Sequence, residues 1–297
     1  MRKKNINTIT DLFDDECSLC GTVEFNLVSR SCHTGCIPAG TALLSLNSEC
    51  CLLLNIAACH NNLGYAQMLV DNCPPDKSLT LNQNPLQMAA LRGYFEMVQL
   101  LLTHDTTDIN RKDSEDNTAL SLAILHNHEQ TASWLIQKGA DIHAANQWLQ
   151  QPIHYASYQG MNELLLLLLE KGADTAAQSS ELETPLHFAF YGGGNLECAK
   201  TLLKNNAPLN TKNNKGQTPL HSCIMHSKEH QTLVLELIAA GALMNEADKD
   251  GNTPLHLALL TRSPECIDTL ITRGARTDIP NFAGQTALQL LEARGQL

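Results

Sequence analysis

One short pattern recurs along most of this chain. Its clearest copies are Glu183-Thr184-Pro185-Leu186-His187, Gln217-Thr218-Pro219-Leu220-His221 and Asn252-Thr253-Pro254-Leu255-His256. Weaker copies stand at Asn84-Pro85-Leu86-Gln87, Asn117-Thr118-Ala119-Leu120, Gln151-Pro152-Ile153-His154 and Gln285-Thr286-Ala287-Leu288. With the proline or its substitute as anchor, they fall at 85, 119, 152, 185, 219, 254 and 287, at spacings of 33 to 35 residues. A degenerate copy, Leu53-Leu54-Asn55-Ile56-Ala57-Ala58, precedes them. Such a period means stacked supersecondary units, each too small to bury its own apolar face. It decides what length cannot, since 297 residues suit two ordinary domains or one long array.

Each copy parses in the same way. Threonine caps a first helix, and proline in its first turn loses no needed hydrogen bond. Leu-His-x-Ala then gives a small, close-packing inner face. A turn follows at Gly93, Gly160 or Gly192-Gly193-Gly194, and a second, leucine-rich helix over 96–102, 163–170 or 233–239. That helix stops at Gly139-Ala140-Asp141, Gly172-Ala173-Asp174, Gly241-Ala242 or Gly274-Ala275, where glycine supplies a left-handed C-cap. An extended segment leads on to a tip such as Asp248-Lys249-Asp250-Gly251. Extra residues near Gly192-Gly193-Gly194 and at 227–230 lengthen two of the turns between helices, where repeat arrays tolerate insertion.

These residues resemble the ankyrin repeat, whose pattern reads G-x-T-P-L-H-x-A-A, then paired leucines, then G-A-D-x-N. The resemblance covers about residues 49 to 297, as about seven repeats plus a C-terminal half repeat. It implies an all-α solenoid of helix-turn-helix units with projecting β-turn fingers, over a domain at 47–297 preceded by a cysteine-rich segment at 1–46. It also implies that the Leu-His histidines make hydrogen bonds near the start of the first helix. Glu292, Arg294 and Gln296 would supply the polar end that a terminal repeat needs.

Composition excludes several functions. Net charge is −11 and aromatic residues supply 4%, so there is no basic face to track phosphates, and nucleic acid is not an expected partner. Met1-Arg2-Lys3-Lys4 runs into polar and acidic residues rather than the apolar core of a signal peptide. The apolar stretch at 41–59 is interrupted by Asn47, Ser48, Glu49 and Asn55, so no membrane insertion is expected. The expectation is an intracellular, cytoplasmic protein with reduced thiols. No catalytic constellation emerges. His154, His187, His221 and His256 lie one repeat apart and cannot converge, while Cys198, Cys223 and Cys266 suit core packing. The three glycines at 192–194 follow a helix and precede no lysine, unlike a phosphate-binding loop.

In the family, partners meet a concave surface made by the fingers and by the two residues that end each first helix. Counting six and seven past the anchors gives Leu91 and Arg92, Leu125 and His126, Tyr158 and Gln159, Tyr191 and Gly192, Met225 and His226, and Leu260 and Thr261. The first members, Leu91, Leu125, Tyr158, Tyr191, Met225 and Leu260, form an apolar row of the kind a peptide or helix groove uses. Gln147-Trp148-Leu149 stands where the family usually has a polar residue and glycine, so Trp148 either anchors a partner or packs on the next finger. Tyr158, Tyr191 and Trp148 are the expected anchors.

Eight of the eleven cysteines precede residue 74. Cys17-Ser18-Leu19-Cys20-Gly21 can aim two thiolates at one ion, and Cys32-His33-Thr34-Gly35-Cys36 after an alternating segment would complete a tetrahedral zinc site at Cys17, Cys20, Cys32 and Cys36. The second pair is spaced by three residues rather than two, and no further ligand set follows. Capping of the array's first face without metal is the other reading, and on that reading the chain needs no cofactor. The function expected from all this is a non-enzymatic, monomeric interaction module that binds a protein or peptide. The alternatives are a zinc-bearing, ubiquitin-ligase-like adaptor whose repeats select the substrate, and a bacterial effector that binds host proteins in the host cytoplasm.

Overall fold

A computed structural model describes residues 54–72, 84–103, 108–191, 195–226 and 230–293. The boundary at 46, the four candidate zinc ligands, the glycines at 192–194, the insertion at 227–229, Arg294 and Gln296 lie outside the described residues. The described residues fall into two compact units that divide between Ser114 and Glu115.

In the first unit, residues 54–59 are helical, followed by α1 (Leu63–Asn72), α2 (Pro85–Arg92) and α3 (Phe95–Leu101). Helix α3 packs on both α1 and α2. The second unit holds inner helices α4 (Ala119–Leu125), α6 (Pro152–Gln159), α8 (Pro185–Tyr191), α10 (Pro219–His226), α12 (Pro254–Leu260) and α14 (Ala287–Ala293). Its outer helices are α5 (Glu129–Gln137), α7 (Asn162–Glu170), α9 (Leu196–Lys204), α11 (His230–Ala239) and α13 (Pro264–Thr272). Inner helices stack on inner and outer on outer, and each pair packs together. The all-α repeat fold expected from the sequence is the one observed, with a single isolated β-bridge, Pro280 to Thr286, among the described residues. No helix among them is long and apolar enough to cross a membrane.

The core follows from the repeat. Leu86, Leu120, Ile153, Leu186, Leu220 and Leu255, each one past its anchor, are fully buried, as are the small residues four past it, Ala89, Ala123, Ala156, Ala189, Cys223 and Ala258. Leu135, Leu165, Leu202 and Leu270 meet them from the outer layer. Each leucine so buried contributes about 1.5–3 kcal/mol, and the small residues let the stacked helices approach.

The side-chain cap expected from the sequence is observed, and in several copies a histidine adds to it. In the weaker copies the cap side chain accepts from the amide three residues on, at 2.8 Å from Gln87 to Asn84 and 3.3 Å from Ser121 to Thr118. In the Thr-Pro-Leu-His copies the histidine ring also takes part: the amides of Thr184, Thr218 and Thr253 donate to Nδ1 of His187, His221 and His256 at 3.1–3.2 Å. Since Nδ1 accepts, Nε2 carries the proton and donates across the repeat boundary, to the carbonyls of Gln217, Asn252 and Gln285 at 3.1–3.2 Å. One neutral ring thus caps its own helix and ties it to the next repeat.

Each finger is folded by a polar side chain six residues before the anchor. Asn146 Oδ1 accepts from the amides of Trp148 and Gln150, and Asn213, Asp248 and Asn281 do the same in their own fingers at 2.8–3.1 Å, while in the finger after Asn146 the Ser179 Oγ accepts from Glu181 and Glu183 at 3.2–3.3 Å. Backbone amides of Gln147, Ser180, Asn214, Lys249 and Phe282 then donate to carbonyls of the preceding finger at 2.8–3.0 Å. The residue three before each anchor has positive φ at every tip: Gly216, Gly251 and Gly284, but also Asp116, Leu149 (φ 58°) and Leu182 (φ 59°). An L-residue in that region costs about 1–2 kcal/mol.

Gly251 illustrates the constraint, because a Cβ there would lie 2.7 Å from the amide nitrogen of Phe282 and 2.8 Å from its ring. Gly251→Ala is expected to lower stability by about 2 kcal/mol, from left-handed strain plus displacement of the last finger. A melting temperature equal to that of the wild type would show that the finger yields freely.

Candidate functional site

The inner helices α4, α6, α8, α10 and α12 are covered on every side along most of their length. In α8, Pro185, Leu186, His187, Phe188, Ala189 and Phe190 are all buried, and in α12 so are Pro254, Leu255, His256, Leu257, Ala258 and Leu259. Six past the anchor, the side chain is the first to emerge beyond the stack. There Leu125, Tyr158, Met225 and Leu260 are exposed, Tyr158 at 42% and Leu260 at 57%. They stand at the ends of α4, α6, α10 and α12, and the matching residue of α8, between Tyr158 and Met225, is Tyr191. Leu91 ends α2 in the first unit and is half-buried.

Tyr191 departs from the row. It is half-buried, its hydroxyl donates to Glu183 Oε1 at 2.6 Å, and Ser222 Oγ lies 3.4 Å away. Its ring meets Phe188 at 6.0 Å and, edge to face, His226 at 5.0 Å. Burial first, and then the Glu183 bond, raise the phenol well above its ordinary range. Tyr191 is therefore a structural bridge as well as part of the surface. In the preceding repeat Gln150 receives the hydroxyl of Tyr155 at 2.9 Å, and Tyr158 stays outward.

The rim of the row is polar and neutral. Burial lowers the pKa of His226, with Lys215 adding to it, and lowers that of His126, with His128 adding. Gln159 Nε2 donates to the Leu125 carbonyl and joins two repeats at the surface. Trp148, at its finger tip, is 44% exposed.

Sequence reasoning passed over two sets of residues. Leu149 and Leu182, at neighbouring tips, are exposed, and Phe282 is exposed on the last described finger. The finger-folding residues Asn146, Ser179, Asn213, Asp248 and Asn281 were equally legible, as a polar position six before each of the last five anchors.

The thiols are held in their protonated form. Burial pushes Cys198 up to about 12, Cys266 up to about 11 and Cys223 well above its ordinary value. No group of three or more His, Cys, Asp or Glu placed to hold a metal ion occurs among the described residues.

Comparison with known proteins agrees with this geometry. The family model for ankyrin repeats in three copies matches residues 54–146 and 153–245, and a second ankyrin-repeat model matches 226–271. The chain is 28% identical over 250 residues to the human transient receptor potential cation channel subfamily A member 1, an alignment that covers 69% of this chain and 22% of the channel. It therefore spans about a fifth of that relative's length. Among solved structures, the human ASB11 ankyrin repeat domain superposes with a TM-score of 0.63 at 27% identity, covering 70% of this chain and 91% of that domain. An ankyrin repeat domain from Acinetobacter baumannii AYE reaches a TM-score of 0.58 at 33% identity, covering 65% of this chain and 98% of that one. Repeat by repeat, in caps, helix pairs, stops and fingers, the chain belongs to the ankyrin-repeat family.

Proposed function

We propose that the chain is a protein-binding module that holds a partner protein or peptide on the concave face of its repeats, without catalysis of its own. The observation that carries this reading is the row of Leu125, Tyr158, Met225 and Leu260, exposed at the ends of helices that are otherwise buried all round. Folding gains nothing from leaving these side chains in water. A partner that covers them gains about 25 cal/mol per Å² of apolar surface. Trp148 is exposed at a finger tip and has the size of a binding anchor. The neutral imidazoles of His126 and His226 add hydrogen-bonding edges without charge.

Tyr191 braces the surface through Glu183, so replacing it with alanine would disturb the fold as well as the contact. The clean variant is Trp148→Ala/Tyr158→Ala. Wild type and variant, used as bait for pull-down with mass spectrometry, are expected to differ in a defined set of partners. Affinity for a partner so identified should fall at least tenfold, about 1.4 kcal/mol, while circular dichroism stays unchanged. Equal affinity with an intact fold would refute the assignment of the row.

A further inference from the structure

The row is not the only apolar surface that folding leaves exposed. At the finger tips the residue three before the anchor has positive φ, and Gly216, Gly251 and Gly284 take that conformation at no steric cost. Leu149 and Leu182 take it with a bulky side chain, and they are 54% and 43% exposed. Both choices oppose folding: the backbone is strained, and the side chain that strains it remains in water. The two tips are neighbours, joined by the Ser180 amide donating to the carbonyl of Trp148, the residue next to Leu149, at 2.8 Å.

The charged residues on these tips themselves have one sign. The preceding finger, held by the Gln147 amide on the Glu115 carbonyl at 3.0 Å, carries Glu115 and Asp116, and the second leucine tip carries the exposed Glu181, with Glu183 at its base. No lysine or arginine occurs at 115–118, 146–151 or 179–184. The first basic residue among these tips is Lys215, one finger further on.

We propose that Trp148, Leu149 and Leu182 form a docking zone for a partner segment with bulky apolar side chains flanked by lysine or arginine. This inference rests on the protein-binding reading above and specifies the chemistry of the partner. The apolar side chains cover the strained leucines, and the flanking cations face Glu115, Asp116 and Glu181. Attraction between exposed charges is screened within about 10 Å at 0.1 M salt, so the charged part of the affinity weakens as salt rises.

The test selects peptides from a random displayed library against the full chain and measures the enriched ones by fluorescence anisotropy. Enrichment of leucine, isoleucine, methionine or phenylalanine next to lysine or arginine is expected, with affinity falling at least threefold from 50 to 500 mM salt. The decisive variant is Leu149→Gly/Leu182→Gly, in which glycine relieves the strain. Affinity should fall at least tenfold while the melting temperature holds or rises. Enriched peptides that are acidic or uncharged overturn the proposal, as does unchanged affinity in the glycine variant. A lower melting temperature in that variant overturns it too, because the leucines would then serve the fold. Tyr158→Ala separates the two readings: loss there without loss in the glycine variant keeps the row and sinks the tips, whereas loss only in the glycine variant keeps the tips and sinks the row.

Discussion

Lowering the pH from 7 to 4 is expected to destabilise the repeats through their buried histidines, and His187→Gln is expected to remove part of that loss. His154 and His187 are fully buried, and desolvation lowers each pKa from 6.5 to about 4; His221 is lowered for the same first reason. The folded-state pKa lies below that of the unfolded chain, so on acidification the unfolded chain binds protons that the folded chain refuses. The stability these rings contribute is fully present above about pH 6.5 and is lost as pH falls through the window down to about 4. At about 1.4 kcal/mol per pKa unit, the loss is about 3 kcal/mol at each of His154 and His187. Carboxylates titrate near the low end of the same window, which is why the substitution matters more than the pH curve alone.

The chain itself supplies the replacement. In the repeat anchored at Pro85, Gln87 occupies the histidine position: its Oε1 accepts from the Asn84 amide at 2.8 Å and its Nε2 donates to the Arg111 carbonyl at 2.8 Å. Glutamine thus makes both bonds of the histidine ring without a proton to gain. His187→Gln should lie within about 1 kcal/mol of wild type at pH 7.5 and lose less stability at pH 5, in urea unfolding followed by circular dichroism. His187→Ala should lose about 2–4 kcal/mol at pH 7.5, since it leaves the Thr184 amide and the Gln217 carbonyl without their partner. Identical pH profiles for wild type and His187→Gln would contradict the account of the ring.

Phe190→Ala is expected to cost about 3–5 kcal/mol, the range for removing a large aromatic side chain from a closed core. Phe190 is fully buried five past its anchor, where the preceding repeat has the small Ser157 and the following one Ile224. Helix α8 packs on both α6 and α10, so a void there loosens two interfaces, and in repeat proteins stability is largely a sum of such nearest-neighbour terms. Leu125→Ala, at an exposed position of the row, should stay within about 0.5 kcal/mol of wild type. Urea unfolding of the two variants side by side checks the contrast, and equal losses would mean that the row is part of the core.

The local grammar of the repeat was legible because it acts over three or four residues. Thr-Pro begins a helix in three copies and Gly-Ala ends one in four, and the weaker copies at the same spacing complete the stack. The expected first-helix role of the histidines held, but their second bond did not follow from sequence, since it depends on a carbonyl about 30 residues away. The difference between Tyr158 and Tyr191 is of the same kind. Both stand six past an anchor, but Tyr191 donates to Glu183, whereas the matching residue Gln150 accepts from Tyr155, where the next repeat has Phe188. Strain at Leu182 has no local mark, because glycine shows a left-handed residue openly and leucine does not, whereas Leu149 stood out at a position where the family usually has glycine. The repeat register could have shown it, because both leucines align with Gly216 and Gly251.

A partner that covers the exposed row at the ends of the inner helices shields it from solvent exchange. Hydrogen–deuterium exchange of the full chain, alone and saturated with a partner captured by it, is expected to show slowed exchange in peptides that contain Leu125, Tyr158, Met225 and Leu260 and in the tip at 147–149, with the outer helices α7, α9 and α11 unchanged. Protection confined to those outer helices, with the row exchanging as freely as in the unbound chain, would contradict this placement of the partner.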